Sequence, residues 1–220
     1  MINDSIINNC SSLISPDIYN YQGSFNQPLK LGIMASGNGT NFEVISQAVA
    51  DGKINAKIQV LIYNNPDAKA AIRAEKWGVD AILLNHRDYK SRQKFDSKVV
   101  QILQRYDVEF VIMAGWMRLV TQVLIDAFPQ RMINIHPSLL PSFKGVRAVE
   151  QALAAGVKIT GCTVHLVSLE VDSGNILMQA AVPVLQEDTP ETLHARIQAQ
   201  EHRILPMAIA LLNSTFPTQS

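Results

Sequence analysis

Residues 132–145 read MINIHPSLLPSFKG. Met132, Ile133 and Ile135 form the apolar run of a buried strand, and Asn134 and His136 interrupt it on alternate positions. Side chains two apart on a strand share one face. An amide and an imidazole therefore point the same way where the strand ends, just before the chain turns through Pro137 and Pro141. In a parallel sheet, ligands bind at the carboxyl ends of the strands. Whether this pair sits at such a place depends on the segments on either side.

Upstream, short apolar runs alternate with helical patterns. LKLGIMAS (29–36), AKIQVLIYN (56–64), DAILLN (80–85) and EFVIMAG (109–115) lack the polar alternation of a half-exposed strand, which suits strands covered on both faces. Between them, Phe42, Ile45 and Val49 share one helical face, as do Phe95, Val99 and Leu103. A helix over 67–78 closes at Gly78. Strand following helix in this way means right-handed crossovers and a parallel sheet. Downstream the style changes. VRAVEQALAAG (146–156) is a helix, and ITGCTVHLVS (159–168) and NILMQAAVPV (175–184) flank the short acidic turn LEVDSG, as two antiparallel strands would. A final helix starts with Thr189 as N-cap and Pro190 at N1, carries Leu193, Ile197, Ile204, Ala208 and Leu211 inward, and should kink at Pro206. The predicted fold class is α/β: a mostly parallel, Rossmann-like sheet with flanking helices and an antiparallel C-terminal strand pair.

The totals exclude several function classes. Of 220 residues, 47% are hydrophobic and 17% charged, with a formal net charge of zero, so neither nucleic acid nor an anionic membrane has a general electrostatic claim on the chain. No apolar run approaches the ~18 residues of a transmembrane helix. Cys10 and Cys162 make neither a disulfide framework nor a zinc site, which points to a reducing, cytoplasmic location and no metal. Residues 1–28, rich in Asn and Ser and without a basic residue, read as a flexible N-terminal extension, with an edge strand or docking arm as the other reading. Residues 29–216 form the domain.

Four groups of residues could carry chemistry. ASGNGTN (35–41) follows the first strand and opens the first helix, and Gly37 and Gly39 would let backbone N–H groups approach an anion at the positive end of that helix. Phe42 takes the place of the third glycine of a dinucleotide loop and no P-loop lysine follows, so a single phosphate fits better than a dinucleotide or ATP. The other reading is a tight turn with an N-cap. By itself, His136 at a strand end is more often a hydrogen-bonded core residue. An amide that can hold an oxyanion beside an imidazole that can move protons nevertheless suits acyl transfer. Asp172 is the candidate partner for His136, although alone it reads as a turn aspartate. Glu201 lies between Ile197 and Ile204 on an apolar helix face, where a carboxylate either pairs across the core or grips a ligand. AGWMRLV (114–120) would set Trp116 and Met117 beside a ligand or plug the core.

Taken together, GNGTN, GWMR, NIHPSLLPSFKG, VHLVSLEVDSG and QAQEHRILP, in this order and spacing, resemble the glycinamide ribonucleotide formyltransferases, folate-dependent enzymes of purine synthesis. The resemblance covers about residues 30 to 212. It implies that Asn134 steadies the oxyanion of a tetrahedral intermediate, that His136 transfers protons, and that Asp172 raises the His136 pKa and orders a water. It assigns the ribonucleotide to the loop of Gly37, Asn38, Gly39, Thr40 and Asn41 and to Gln198 and Glu201. The folate falls to Arg92, Met117, Arg118, Leu119, Val120 and Asn134. The formyl donor would be 10-formyltetrahydrofolate, a cosubstrate, and the partners small molecules only, in a monomer or weak homodimer. The departures are Ser173, Lys144 and Arg147. Relatives with the same triad act on water or methionyl-tRNA, but the hydrolase carries a further domain in front and the tRNA enzyme a β-barrel and a basic surface. A silent nucleotide-binding module is the remaining reading.

Overall fold

The apolar runs without polar alternation become the centre of one sheet. The computed structural model describes residues 13–16 and 27–215. In it Leu29–Ala35 (β2), Ala56–Tyr63 (β3), Ala81–Leu83 (β4), Phe110–Met113 (β5) and Met132–His136 (β6) pair in parallel. Ile159–Leu166 (β7) and Ile176–Pro183 (β8) extend the sheet with antiparallel pairing. Across the sheet the order is β1-β8-β7-β6-β5-β2-β3-β4. The expected antiparallel pair is present, and β7 also runs antiparallel to β6, so the sheet changes sense beside the strand that carries Asn134 and His136.

β1 is Ile14–Ser15, paired antiparallel with Ala180 and Gln179 of β8. It lies within the stretch expected to be a flexible extension, which at this point adds an edge strand instead. A two-residue strand is too short to leave a period in the sequence. The rest of 1–26 outside 13–16 lies beyond the described residues.

Helices Thr40–Ala50 (α1), Ala70–Lys76 (α2), Arg92–Arg105 (α3), Gln122–Ala127 (α4), Ala148–Ala154 (α5) and Pro190–Thr215 (α6) cover the two faces. Successive residues of β2 point to opposite faces. Leu31 and Ile33 join Phe42 and Ile45 of α1 and Ile204 and Leu205 of α6 in one core. Met34 joins Phe95, Val99 and Leu103 of α3 and Leu124 of α4 in the other. The short α4 and a 3₁₀ turn at His86–Asp88 have no counterpart in the sequence reading, because neither is long enough to show a helical period. Thr189 caps α6 as expected, its hydroxyl accepting from Thr192 N, and Pro206 lies inside an otherwise continuous helix. Among the described residues no helix is long and apolar enough to cross a membrane.

Glu201 sits in the middle of the inner stripe of α6, only 6% exposed, and accepts a hydrogen bond from Asn41 Nδ2 at 3.3 Å. Burial pushes its carboxyl up, against the smaller pull of that bond. An acid whose folded pKa is raised stabilises the fold fully below its ordinary pKa and loses that contribution as pH rises through the folded value. Glu201→Gln keeps an acceptor for Asn41 Nδ2 and carries no charge. The variant is therefore expected to melt above the parent at neutral pH, by about 2–4 °C for each kcal/mol recovered. The gap should close as pH falls to the ordinary glutamate pKa of about 4.3. A melting-temperature series across pH checks this, and a gap that does not change with pH would show another cause.

Candidate active site

The carboxyl ends of β2, β5 and β6 open onto one cavity of about 1040 Å³. A parallel sheet brings these ends together whatever their separation in sequence. All the site residues expected from sequence line this cavity, from Gly37 to Asn41 at the end of β2 to Gln198 and Glu201 on α6.

His136 is 5% exposed, and both ring nitrogens face acceptors. Nδ1 lies 3.3 Å from Asp172 Oδ2 and Nε2 lies 2.9 Å from the Phe143 carbonyl. A neutral ring donates to one of these acceptors and keeps a lone pair on its other nitrogen, where it can take a proton. Asp172 Oδ2 also accepts from Gly145 N at 2.8 Å, while Oδ1 lies 3.6 Å from His165 Nε2. Burial alone would raise the Asp172 carboxyl. The His165 contact, the Gly145 N–H and the two imidazoles outweigh it and hold the group below the usual carboxylate range. Asp172 reaches this position with φ of +50°, in a turn where a Cβ on Gly174 would fall 1.7 Å from the Leu166 carbonyl oxygen. The glycine is thus required for close approach, not only for bending.

His165 was not singled out in the sequence. The β6–β7 register sets it opposite Asn134, with Asn134 Nδ2 at 3.3 Å from His165 Nε2. Its Nδ1 lies 2.8 Å from the Leu166 carbonyl, which can only accept, so Nδ1 carries a proton and Nε2 is the atom turned to the Asn134 amide. That leaves the second Nδ2 hydrogen of Asn134 for a ligand. One polar residue in an alternating strand carries no sign of such a neighbour, so only the strand pairing reveals it.

On the opposite wall, Gly39 caps α1 at φ of +71°, and a Cβ there would meet the Ala70 Cα at 2.7 Å. Among the described residues, the N–H groups of Asn38, Gly39, Thr40 and Asn41 find no acceptor. α6 clasps this helix start twice, through Asn41 and Glu201 and through Gln198 Nε2 on Thr40 Oγ1 at 3.3 Å. Asn41 Oδ1 is buried beside the Glu201 carboxyl and has no partner among the described residues.

The third wall is apolar and open. Met117 is 81% and Val146 80% exposed at its mouth, with Leu119 and Leu169 nearby. The segment from Met117 to Val120 is held at both ends: Ser36 Oγ accepts from Met117 N at 2.9 Å, and buried Asp96 accepts from Thr121 N at 2.6 Å. Arg118 stacks over the Phe95 ring at 4.8 Å, and Arg92 begins α3 at the same rim. Two of the departures meet each other: Lys144 Nζ donates to Ser173 Oγ, next to Asp172. Arg147 caps α5 at φ of +60°.

The geometry agrees with what comparison finds. The curated trifunctional purine biosynthetic protein adenosine-3 of Homo sapiens is 37% identical over 213 residues, 97% of this chain, which spans only 20% of that relative's length. Phosphoribosylglycinamide formyltransferase of Bacillus subtilis is 38% identical over 183 residues, 83% of this chain and 94% of that protein. A crystal structure of glycinamide ribonucleotide transformylase 1 from Symbiobacterium toebii superposes with a TM-score of 0.84 at 47% identity, covering 86% of this chain and 89% of that one. The profile of the formyl transferase family matches residues 29–209, without a break from the first residue of β2 into α6. Strands β2 to β8 and the cavity walls fall within that span, and the chain belongs to the formyl transferase family.

Proposed function

We propose that this chain transfers the formyl group of 10-formyltetrahydrofolate to the amine of glycinamide ribonucleotide. The observation that carries the reading is the contact of His136 with Asp172 beside Asn134, in a cavity that also holds a helix start with unpaired N–H groups. The first part suits acyl transfer and the second suits a phosphorylated acceptor. The relatives named for this reaction support the same substrates.

In this reading the loop from Gly37 to Asn41 takes the phosphate, and Gln198 and Glu201 take the ribose and glycinamide end. The exposed apolar side chains of Met117, Leu119 and Val120 cover the pteridine, and Arg92 and Arg118 face the acidic part of the folate. The amine nitrogen attacks the formyl carbon, and the carbonyl electron pair moves onto oxygen. The free N–H of Asn134 Nδ2 donates to that oxyanion. His136, oriented by Asp172, takes the proton lost by the attacking nitrogen and delivers it to N10 of the folate as the carbon–N10 bond breaks. Water as acceptor is not favoured, because it would leave the phosphate loop and the Asn41–Glu201 pair without a task.

Formyl transfer with purified protein tests the reading directly. Tetrahydrofolate and formylated ribonucleotide are expected to rise in step, and only when ribonucleotide is present. Formate released without ribonucleotide would instead indicate a hydrolase. Asp172→Asn is expected to lower kcat by about a thousandfold or more while ribonucleotide affinity, measured by calorimetry, stays within about threefold. A kcat within a few-fold of the parent would remove Asp172 from the mechanism.

A further inference from the structure

α2 stands behind the loop that starts α1, and none of its residues lines the cavity. Two of its groups nevertheless hold that loop. Ala70 N donates to the Gly37 carbonyl at 3.2 Å, and Arg73 Nε donates to the Asn38 carbonyl at 2.8 Å. Both peptides are trans, and in a trans peptide the carbonyl and the following N–H point in opposite directions. Drawing these two carbonyls toward α2 turns the N–H groups of Asn38 and Gly39 away from it, to the side where the cavity lies. Those are two of the N–H groups without an acceptor.

The Arg73 guanidinium also meets Glu43, with Nη1 at 3.0 Å from Oε2, while Lys76 Nζ lies 2.8 Å from Oε1 of the same carboxylate. Glu43 is in the first turn of α1. A carboxylate there competes with any anion for the positive end of the helix. Two cations on one carboxylate leave a net positive charge behind the loop. The Arg73 side chain is 35% exposed, and ion pairs at such sites contribute only about 0–1 kcal/mol to stability. The main effect of the arrangement therefore falls on the loop.

We propose that Arg73 is a positioning residue for the substrate phosphate: it orients the Asn38–Gly39 peptide and neutralises Glu43, so that the start of α1 accepts a phosphate dianion. This rests on the reading of that loop as the phosphate seat. Arg73 does not touch the ligand, and its action passes through the Asn38 carbonyl and the Glu43 carboxylate.

The test compares the parent protein with Arg73→Ala and Arg73→Lys. It reads KM and kcat for glycinamide ribonucleotide and for the dephosphorylated riboside, KM for the folate, melting temperature, and calorimetric binding of ribose 5-phosphate. Arg73→Ala is expected to weaken ribonucleotide KM and ribose 5-phosphate affinity by about tenfold or more, the worth of a hydrogen bond to a charged group. The kcat, the folate KM and the riboside KM should all stay near the parent values. Arg73→Lys keeps the charge and the stem but cannot make both bonds at once, so it should recover part of the loss. If Arg73→Ala does not fold, Arg73→Lys decides, with parental ribose 5-phosphate affinity overturning the proposal. Parental affinity in Arg73→Ala also overturns it, as does an equal loss for riboside and ribonucleotide. A parent protein that binds ribose 5-phosphate but transfers no formyl group would overturn the functional reading and leave this comparison decisive. A parent that binds no ribose 5-phosphate would overturn both.

Discussion

The Asp172 carboxylate is the tie on which the site depends. It faces His136 from β6, His165 from β7 and the Gly145 N–H from the loop after β6, and it does so from the turn between β7 and β8. Burial works against its charge, and the Gly145 N–H and the two imidazoles facing its oxygens are what keep it ionised. The left-handed backbone at Asp172 and the close approach at Gly174 are local costs that the surrounding strands impose. Without that carboxylate His136 Nδ1 would lose the group it faces and the Gly145 N–H its acceptor.

The opposite wall follows the contrary logic. There the start of α1 is left with unpaired N–H groups, and Asn41 Oδ1 and the Glu201 carboxyl are buried with little to satisfy them. Native interiors seldom tolerate this. The cost is borne locally, and it makes the wall a good host for an anion and for hydroxyl or amine donors. The clasp between α6 and α1 keeps these groups from relaxing toward each other, and Arg73 and Ala70 brace the loop from outside. One wall is tied together around Asp172, the other carries unpaired groups, and the apolar third wall is open to solvent.

Much of this was legible in the residues. The unbroken apolar run 110–113 marked a strand covered on both faces, because such a strand has no polar side to show. Asn134 and His136 shared a face because strand geometry makes alternate residues do so, and Glu201 stood out because a carboxylate on an apolar helical face is rarely idle. The loop from Gly37 to Asn41 declared itself by glycines at a strand-to-helix turn. These are local rules, and a single sequence obeys them visibly.

What the sequence by itself determined is therefore the longer elements, the mostly parallel sheet and the residue types offered at each strand end. Only the tertiary structure decided which of those residues meet. The approach of Asp172 to His136, the place of His165 opposite Asn134, the contact of Lys144 with Ser173 and the reach of Arg73 to the Asn38 carbonyl all depend on strand register and helix docking. The docking of Ile14–Ser15 on β8 is of the same kind. Register and docking are set by the packing of two cores on either side of the sheet, a sum over many weak contacts between distant residues. No local pattern in the chain records that sum.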